Sequence, residues 1–381
     1  MILPALQFLS QKHALEHLAL VSILMLAIVL SCYRIAEPAW DVPHPINYGG
    51  AVDGWRSLFL PEWGGIARSY MKYGFLKAGQ VAYVRQHDPN FFHHRVDHPP
   101  LLPLLASLSF RVFGFHEWSA RLVLLISSTG LLLLVFDLGR ELGGTKVALG
   151  ASLFFALFPV RICYGTLFFP HTLASFFSLL TFAFYLGWVQ KGGTKYYVGI
   201  YVSFVLGALS DWITYFVVPP ILLHYLVCEY KKTKNLKFVI SFALLPLVSF
   251  GIHLGWAYML GGKWALEGLL DRFLVRTASG GAGEGKAVFT LWDLYAFGYT
   301  RAKLFLTSIV CCLSAIWFVG CMVTLPHKKY LRQNAFVLAL FLFGLSHNLI
   351  FSHRVYYHDI VMFFHFTPFF AIAAALGAQF I

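Results

Sequence analysis

The sequence predicts an all-α polytopic membrane protein, and three observations support this. Hydrophobic residues make up 59% of the 381 residues, and the mean hydropathy is +0.69. Apolar runs about as long as a bilayer-spanning helix recur along the whole chain. Several of the short loops between them are rich in Lys and Arg. Because no soluble segment stands apart, we expect one transmembrane domain over residues 1–381 and no soluble C-terminal domain.

About ten apolar segments are candidate membrane spans, because each approaches the roughly 20 residues that cross a hydrocarbon core. They lie near residues 15–33, 118–138, 147–165, 171–189, 196–210, 212–229, 238–259, 302–324, 334–351 and 360–380. The first is long for the core of a signal peptide and lacks a small-residue cleavage site. It is therefore predicted to be a retained span.

The segment Leu101–Phe113 is apolar but too short to span comfortably, and charge asymmetry decides its placement. If this segment does not cross and the N-terminus is inside, the basic loops 140–146, 191–195, 231–237 and 328–332 all face the cytoplasm. If it crosses, all four loops face outward, against the usual bias of Lys and Arg. We therefore expect a juxtamembrane helix that lies in the membrane interface.

This topology places two large segments on the outer face, the first outer loop 34–117 and a second at 260–300. In the first loop, Pro61 and Glu62 precede residues at helical spacing, which predicts the start of another juxtamembrane helix. Nearly all the clustered histidines lie on this face. The active face is thus predicted to be extracytoplasmic, in the cell membrane or, in a eukaryote, the endoplasmic reticulum membrane.

The charge balance restricts the partners. Net charge is +12 although only 12% of residues are charged. A nucleic-acid binder would gather its basic residues on a soluble face, so no nucleic-acid partner is expected. Anionic membrane lipids and a phosphate-bearing ligand fit better. All six cysteines lie in or beside apolar runs, which predicts no disulfide framework.

The strongest local signal is HHRVDHPP at residues 93–100. The Pro-Pro step forces an extended approach and directs the preceding side chains away from the following helix. The motif indicates a site for phosphate, an acceptor or a divalent cation (zinc, manganese or magnesium), with a solvated turn as the alternative. The residues predicted to hold the acceptor or a metal are His94, Asp97, His358 and Asp359, with His93, His98 and His353 as further candidates.

Two acids of the first outer loop are the candidate catalytic residues. Asp53 or Glu62 can take a proton from an attacking hydroxyl as a general base, whereas an acid at a helix start is the structural alternative for Glu62. Asp211 lies at the outer end of a span, where it is either functional or simply solvated. His171 follows Pro170 at the start of a span, where a role in capping the helix is the alternative to catalysis.

Arginines of the outer face are the candidate phosphate ligands. Arg272 and Arg276 are four residues apart and share one helical face, and a guanidinium binds phosphate through two parallel hydrogen bonds. A solvated helix face is the alternative. Arg95, within the histidine motif, and His98 complete the set of predicted phosphate-binding residues.

Several stretches together resemble a known class of enzymes. They are IARSYMKYG (66–74), DHPPLLPLLASLSFRVFG (97–114), HEWSARLVLLISSTGLLLL (116–134) and FPVRICYG (158–165), with a looser match at SDWITYFVVPP (210–220). The pattern resembles the GT-C membrane glycosyltransferases, in the branch of protein O-mannosyltransferases and lipid A aminoarabinose transferase.

The resemblance implies transfer of a sugar, with inversion, from a dolichyl or undecaprenyl monophosphate donor to a hydroxyl on a lipid, glycan or protein. It implies that Asp97 helps hold metal or acceptor and that His98 or Arg276 contacts the donor phosphate. Phe59 and Leu60 occupy the places of the family's first-loop acids, so Asp53 or Glu62 would have to replace them. A second family acid falls near His171, where this chain has no carboxylate.

Other functions are compatible with parts of the pattern. A flippase or transporter of lipid-linked sugars would place charged residues in the middle of spans and show paired broken helices. A polysaccharide ligase would use a larger pyrophosphate-linked donor. A non-enzymatic assembly subunit would tolerate substitution of all the candidate acids.

Overall fold

A computed structural model describes residues 11–32, 35–36, 52–75, 81–84, 92–94, 98–277, 290–325, 327–357 and 362–381. Nearly all of them are helical, which confirms the predicted all-α membrane class. One small addition is a two-stranded antiparallel sheet, in which β1 (Val81–Val84) pairs with β2 (Phe92–His94). This pair lies within the predicted first outer loop, directly before the Pro-Pro motif.

The helices follow one another with short connections. In chain order they are α1 Gln11–Cys32, α2 Val52–Tyr73, α3 Leu101–Phe113, α4 Glu117–Leu157, α5 Pro159–Tyr164, α6 Pro170–Lys191, α7 Thr194–Ala208, the 3-10 helix Trp212–Val217, α8 Val218–His224, the π-helix Tyr225–Glu229, α9 Tyr230–Thr233, α10 Leu236–Arg276, α11 Leu291–Phe305, α12 Ser308–Thr324, α13 Lys328–Ile350, α14 Ser352–Tyr357, the 3-10 helix Phe364–Phe366, α15 Thr367–Gly377 and the 3-10 helix Ala378–Phe380.

The 41-residue helix α4 is a helical hairpin. Its backbone leaves helical geometry at Gly144, where φ is 78° and ψ is −175°, in the region that glycine adopts most easily. A Cβ placed on Gly139 would lie 2.9 Å from the Cα of Ala148. In a straight helix those residues would be separated by roughly 13.5 Å along the axis. The chain therefore turns back, and the two arms correspond to the predicted spans 118–138 and 147–165.

Six helices of the described chain are long and apolar enough to cross a membrane, or seven if α11 and α12 form one bent span. The predicted number of ten spans is not confirmed. Part of the difference lies in α4, which counts once although Gly144 interrupts it and it covers two predicted spans. The chain is an integral membrane protein.

The outer loops are more helical than the sequence indicated. Helix α2 begins at Val52, so Pro61 and Glu62 lie inside the helix and not at its start. The structural alternative for Glu62, an acid that favours a helix start, is therefore wrong. Similarly, α10 continues to Arg276 and α11 begins at Leu291, so much of the predicted loop 260–300 is helix. Helix α3 has the predicted bounds, and its position in the membrane interface stays a prediction.

Candidate functional site

Three segments that are far apart in the sequence meet in one buried cluster. The Pro-Pro turn contributes His98, the start of α6 contributes His171, and the turn after α7 contributes Asp211, and each side chain is only 1% exposed. The backbone N–H of Leu101 donates a hydrogen bond to the carbonyl of Leu209 at 3.0 Å. This bond fixes the start of α3 against the segment that carries Asp211.

The carboxylate of Asp211 joins the other two members of the cluster. Its Oδ2 lies 2.8 Å from Nδ1 of His171, and its Oδ1 lies 3.7 Å from Nδ1 of His98. Oδ1 also accepts a hydrogen bond from the backbone N–H of Trp212 at 2.6 Å, which caps the 3-10 helix. Asp211 is therefore not a solvated residue at the end of a span, because its oxygens face three nitrogen atoms in a site that excludes water.

The tautomer of His98 follows from its contact with Arg276. Nη2 of Arg276 lies 3.3 Å from Nε2 of His98. A guanidinium has only donor groups, so Nε2 must accept and must be unprotonated. The proton of a neutral imidazole is then on Nδ1, the atom that faces Asp211. The His98 ring therefore lies between the Asp211 carboxylate, which its Nδ1 faces, and the Arg276 guanidinium, which its Nε2 contacts.

Electrostatics keep Asp211 ionised. Burial by itself would raise the pKa of the Asp211 carboxyl, but the neighbouring His171 and His98 rings outweigh burial. The pKa of Asp211 therefore stays well below its usual range. At neutral pH the cluster accordingly holds a fixed negative charge, oriented toward two imidazole rings.

Aromatic rings enclose the cluster. Trp63 of α2 lies edge-on to the His98 ring, with ring centroids 5.2 Å apart, and the Phe169 ring is 4.6 Å from His171. The guanidinium carbon of Arg354 is 5.7 Å from the Phe169 ring centroid, within the range of a cation–π contact. Behind His171 lies His347, at a centroid distance of 6.4 Å. These neighbours account for the near-complete exclusion of water.

An apolar cavity of about 570 Å³ ends beside this cluster. Both predicted arginines, Arg272 and Arg276, line it, and they are its charged lining residues among those described. The rest of the lining is apolar or aromatic: Trp212, Tyr215, Phe216, Pro246, Leu247, Phe250, Leu254, Leu266, Leu269, Leu270, Phe273, Ile350 and Phe351. Trp212 directly follows Asp211, and Arg276 contacts His98, so cavity and cluster share a boundary.

The structure thus brings together four of the residues that the sequence singled out, His98, His171, Asp211 and Arg276, and places Arg272 on the cavity wall. The side chains of the other candidates lie outside the described part of the chain. These are Asp53, Glu62, His93, His94 and His353, whose backbone is described, and Arg95, Asp97, His358 and Asp359, whose backbone is not.

A metal site stays a prediction. Among the side chains that the structure describes, no three His, Cys, Asp or Glu residues are arranged to hold an ion. The predicted ligands His94, Asp97, His358 and Asp359 fall outside that set. His98 and His171 each direct Nδ1 at Asp211, which leaves a divalent cation no obvious position between them.

Sequence reasoning missed several residues of the site. Trp63, Phe169, His347 and Arg354 are buried around it. Two features of the sequence could have indicated these residues: Phe169 directly precedes the Pro170-His171 step, and His347 with Asn348 interrupts an apolar helix.

His365 lies outside the site. It is a buried core residue whose Nε2 lies 3.3 Å from the Gly344 carbonyl.

Comparisons with known proteins find a partial match in sequence. Residues 97–256 match the sequence profile of the dolichyl-phosphate-mannose-protein mannosyltransferase family. An uncharacterized protein of Aquifex aeolicus is 36% identical over 87 residues, or 23% of this chain and 21% of that protein.

Two solved structures are similar over almost the whole chain. ArnT from Cupriavidus metallidurans, bound to undecaprenyl phosphate, superposes with a TM-score of 0.61 at 15% identity and covers 95% of this chain. The Archaeoglobus fulgidus oligosaccharyltransferase AglB, in complex with an inhibitory peptide and a dolichol-phosphate, has a TM-score of 0.59 at 16% identity and also covers 95%. The present chain spans 60% of the ArnT chain and 50% of the AglB chain.

The fold is therefore the GT-C fold that ArnT and AglB share. Residues 97–256, which include part of the Pro-Pro motif, match the profile of the protein mannosyltransferase family, and the likeness to ArnT is one of fold.

Proposed function

We propose that this protein transfers a sugar from a polyprenyl monophosphate, dolichyl or undecaprenyl, to a hydroxyl group on a lipid, glycan or protein. One observation carries the proposal. An apolar cavity of about 570 Å³ is lined by two arginines, and one of these contacts a buried His–Asp cluster. That combination suits a ligand with a long hydrocarbon tail and an anionic head. The undecaprenyl phosphate and dolichol-phosphate bound by the two similar structures are ligands of that kind.

The cavity suits the lipid part of such a donor. Its walls come from the 3-10 helix Trp212–Val217, from α10 and from the end of α13, and they expose aromatic and branched apolar side chains. Burial of apolar surface contributes roughly 25 cal/mol per Å², so a polyisoprenoid chain gains affinity from contact with these walls. Arg272 and Arg276 are the charged lining residues among those described, and Arg276 contacts His98, so an anionic head is expected to lie toward the cluster.

The arginine end suits the phosphate. When the bond between the sugar and the phosphate breaks, negative charge develops on the departing polyprenyl phosphate. A guanidinium held in position beforehand stabilises that charge without reorganising. Arg276 is held by Nε2 of His98, and His98 is held by Asp211. In this reading His98 and Asp211 are positioning residues, and Arg276 with Arg272 binds the donor phosphate.

A carboxylate of α2 is the proposed base that removes the acceptor proton. Trp63 of this helix packs against His98, so the turn that contains Glu62 lies next to the cluster. Asp53 precedes Glu62 by nine residues and is displaced along the helix by roughly 14 Å. This separation favours Glu62 over Asp53. Asp97, adjacent to His98 in the sequence, is proposed to help bind the acceptor or a divalent cation.

The site is proposed to face the extracytoplasmic side. The support is the topology derived from charge asymmetry, in which the Lys- and Arg-rich loops lie in the cytoplasm. The Pro-Pro turn, the start of α6 and the end of α10 then share the outer surface. A donor lipid in the outer leaflet can enter the cavity sideways with its phosphate at that level.

A binding measurement tests the proposal. Purified protein in detergent is titrated with undecaprenyl phosphate, and dissociation constants are compared for wild type, Arg276→Gln and Arg140→Gln. Arg140 is a matched control, because it is a half-exposed arginine that pairs with Asp137 away from the cavity. We expect Arg276→Gln to weaken binding at least about tenfold, since it removes a charged hydrogen bond to phosphate. Equal affinity for all three proteins would refute the proposed phosphate position.

A flippase would also bind the lipid phosphate, so turnover must separate the two functions. A transferase releases free polyprenyl phosphate from a polyprenyl-phosphate sugar, whereas a flippase moves the intact lipid across the bilayer. The positions of Asp211 and Arg276 favour a transferase over a flippase. Both residues lie at or beyond the ends of their spans, whereas a flippase is expected to carry charged residues in the middle of its spans.

A further inference from the structure

Helix α11 is set at a sharp angle to the helix that follows it. Between α11 and α12 the chain direction changes by 114°, at the two residues Leu306 and Thr307. Thr307 has a φ of 66°, which is unusual for a residue with a branched side chain and marks a defined corner. Helix α12 therefore does not continue the line of α11.

Helix α12 is the part of this pair that suits the membrane interior. Its length of 17 residues is at the lower limit for a membrane span, and it contains no charged side chain. Ile309, Val319 and Val323 are each at least 65% exposed, as expected for a surface in contact with lipid. If α12 runs across the bilayer, the 114° corner makes α11 lie closer to the membrane plane than to its normal.

One side of α11 carries a continuous row of exposed aromatic rings. Trp292, Tyr295 and Tyr299 are 71%, 61% and 54% exposed, and their spacing of three and four residues puts them on one face. The Trp292 and Tyr295 rings are 5.4 Å apart, and Tyr295 stacks on Tyr299 at 6.4 Å. The row ends at Lys303, whose Nζ lies 4.2 Å from the Tyr299 ring centroid.

The other faces of α11 differ from this row. Phe305 is buried against Tyr164 and Phe363, which attaches the helix to the protein core. Asp293 and Thr300 are exposed on a polar face, and Asp293 completes a capping box with Thr290. The helix thus has a core side, a polar side and an aromatic side with a lysine at its end.

We propose that α11 is an in-plane interfacial helix and that its aromatic row binds the headgroup region of the bilayer. Tyr and Trp combine an apolar ring with a polar edge, and they concentrate where hydrocarbon meets water. The lysine at the end of the row can pair with the phosphates of anionic headgroups. The net charge of +12 also favours binding to an anionic membrane surface. The occupant is therefore a phospholipid surface.

A soluble glycan and a second protein are the other occupants that an aromatic surface can accept. Neither explains the corner at Thr307, which turns α11 toward the membrane plane when α12 spans the bilayer.

Site-directed labelling tests the proposal in liposomes of phosphatidylcholine and phosphatidylglycerol. Tyr295→Cys is compared with Thr300→Cys, an exposed position on the polar face of the same helix. Each protein is treated with a charged, water-soluble maleimide, and the labelled peptide is quantified by mass spectrometry, so the native cysteines do not interfere. We expect Cys at 295 to react at least about tenfold more slowly than Cys at 300, and the difference to disappear in lipid-free unfolded protein.

A second arm uses the wild-type protein and a phospholipid with a photoactivatable diazirine near its headgroup. Cross-links are expected on Trp292, Tyr295 or Tyr299 and not on Thr300. Equal maleimide rates at the two positions, or the absence of lipid cross-links on the row, would overturn the proposal. Protection of Cys at 295 by a soluble glycan instead of by lipid would overturn it in favour of a sugar-binding surface. Neither arm requires transferase activity, so a negative result would refute the interfacial position of α11 without bearing on the proposed function.

Discussion

Replacement of Asp211 by Asn tests the cluster that organises the site. The carboxylate faces the N–H of Trp212 at 2.6 Å, Nδ1 of His171 at 2.8 Å and Nδ1 of His98 at 3.7 Å, in a site that is 1% exposed. A hydrogen bond to a charged group contributes about 1.5–3 kcal/mol. Asn keeps the volume and one acceptor but removes the charge that the Trp212 N–H and the His171 ring face, so a loss of about 3 kcal/mol is expected.

The assay is thermal unfolding in detergent, followed by tryptophan fluorescence. For domains of 150–250 residues, 1 kcal/mol lowers Tm by about 2–4 °C and by less in a longer chain, so a decrease of roughly 5 °C is expected. The matched control is Asp137→Asn, which removes a carboxylate whose contact with Arg140 at 3.1 Å is more than half exposed. That pair contributes about 0–1 kcal/mol, so its variant should unfold close to wild type. An Asp211→Asn protein as stable as the control would refute the interpretation of the cluster.

Four further predictions concern binding, turnover and pH. Arg276→Lys keeps the charge but loses the planar fork, so affinity for undecaprenyl phosphate should fall about tenfold in an equilibrium titration; unchanged affinity would exclude bidentate binding. Leu254→Trp fills part of the cavity and should weaken binding of long-chain polyprenyl phosphates more than of short ones, whereas an equal effect on both would contradict tail binding there. Glu62→Gln should reduce turnover by about 10²–10⁴-fold with donor binding retained, while Asp53→Asn stays active; the reverse result would assign the base to Asp53. Because the folded-state pKa of Asp211 is depressed, its stabilising contribution is complete above the unfolded pKa of about 4 and is lost as pH falls through the folded value. Unfolding temperatures of wild type and Asp211→Asn should therefore converge only in strong acid, and a gap that closes between pH 5 and 7 would contradict this.

The fold class could be predicted from the sequence because it depends on composition and on the lengths of apolar runs. The number of membrane spans could not be predicted from the sequence in the same way. The turn at Gly144 falls in the loop predicted at 140–146, but the predicted span 196–210 is the 15-residue helix α7, shorter than the roughly 20 residues that cross a bilayer. Pro61 was a misleading signal, because proline is common in a first helical turn, but here α2 already begins at Val52.

The candidate site could be predicted residue by residue but not as an arrangement. The Pro-Pro step identified His98, and the four-residue spacing identified Arg272 and Arg276. The contact between His98 and Arg276 joins residues 178 positions apart, and no local sequence pattern encodes it. Asp211 and His171 each had an ordinary explanation in isolation, and only their separation of 2.8 Å within a buried site indicates a joint role.

Donor cleavage by the purified protein is the measurement that tests the central claim most directly. Wild type and Glu62→Gln are reconstituted in liposomes with a tritiated polyprenyl-phosphate sugar and a membrane lipid extract that supplies acceptors. Protein-dependent release of free polyprenyl phosphate, with tritium transferred to a new product and both lost in Glu62→Gln, is the predicted result. Binding of the donor by wild type, followed only by its movement across the bilayer with the sugar–phosphate bond intact, would contradict a transferase and identify a flippase.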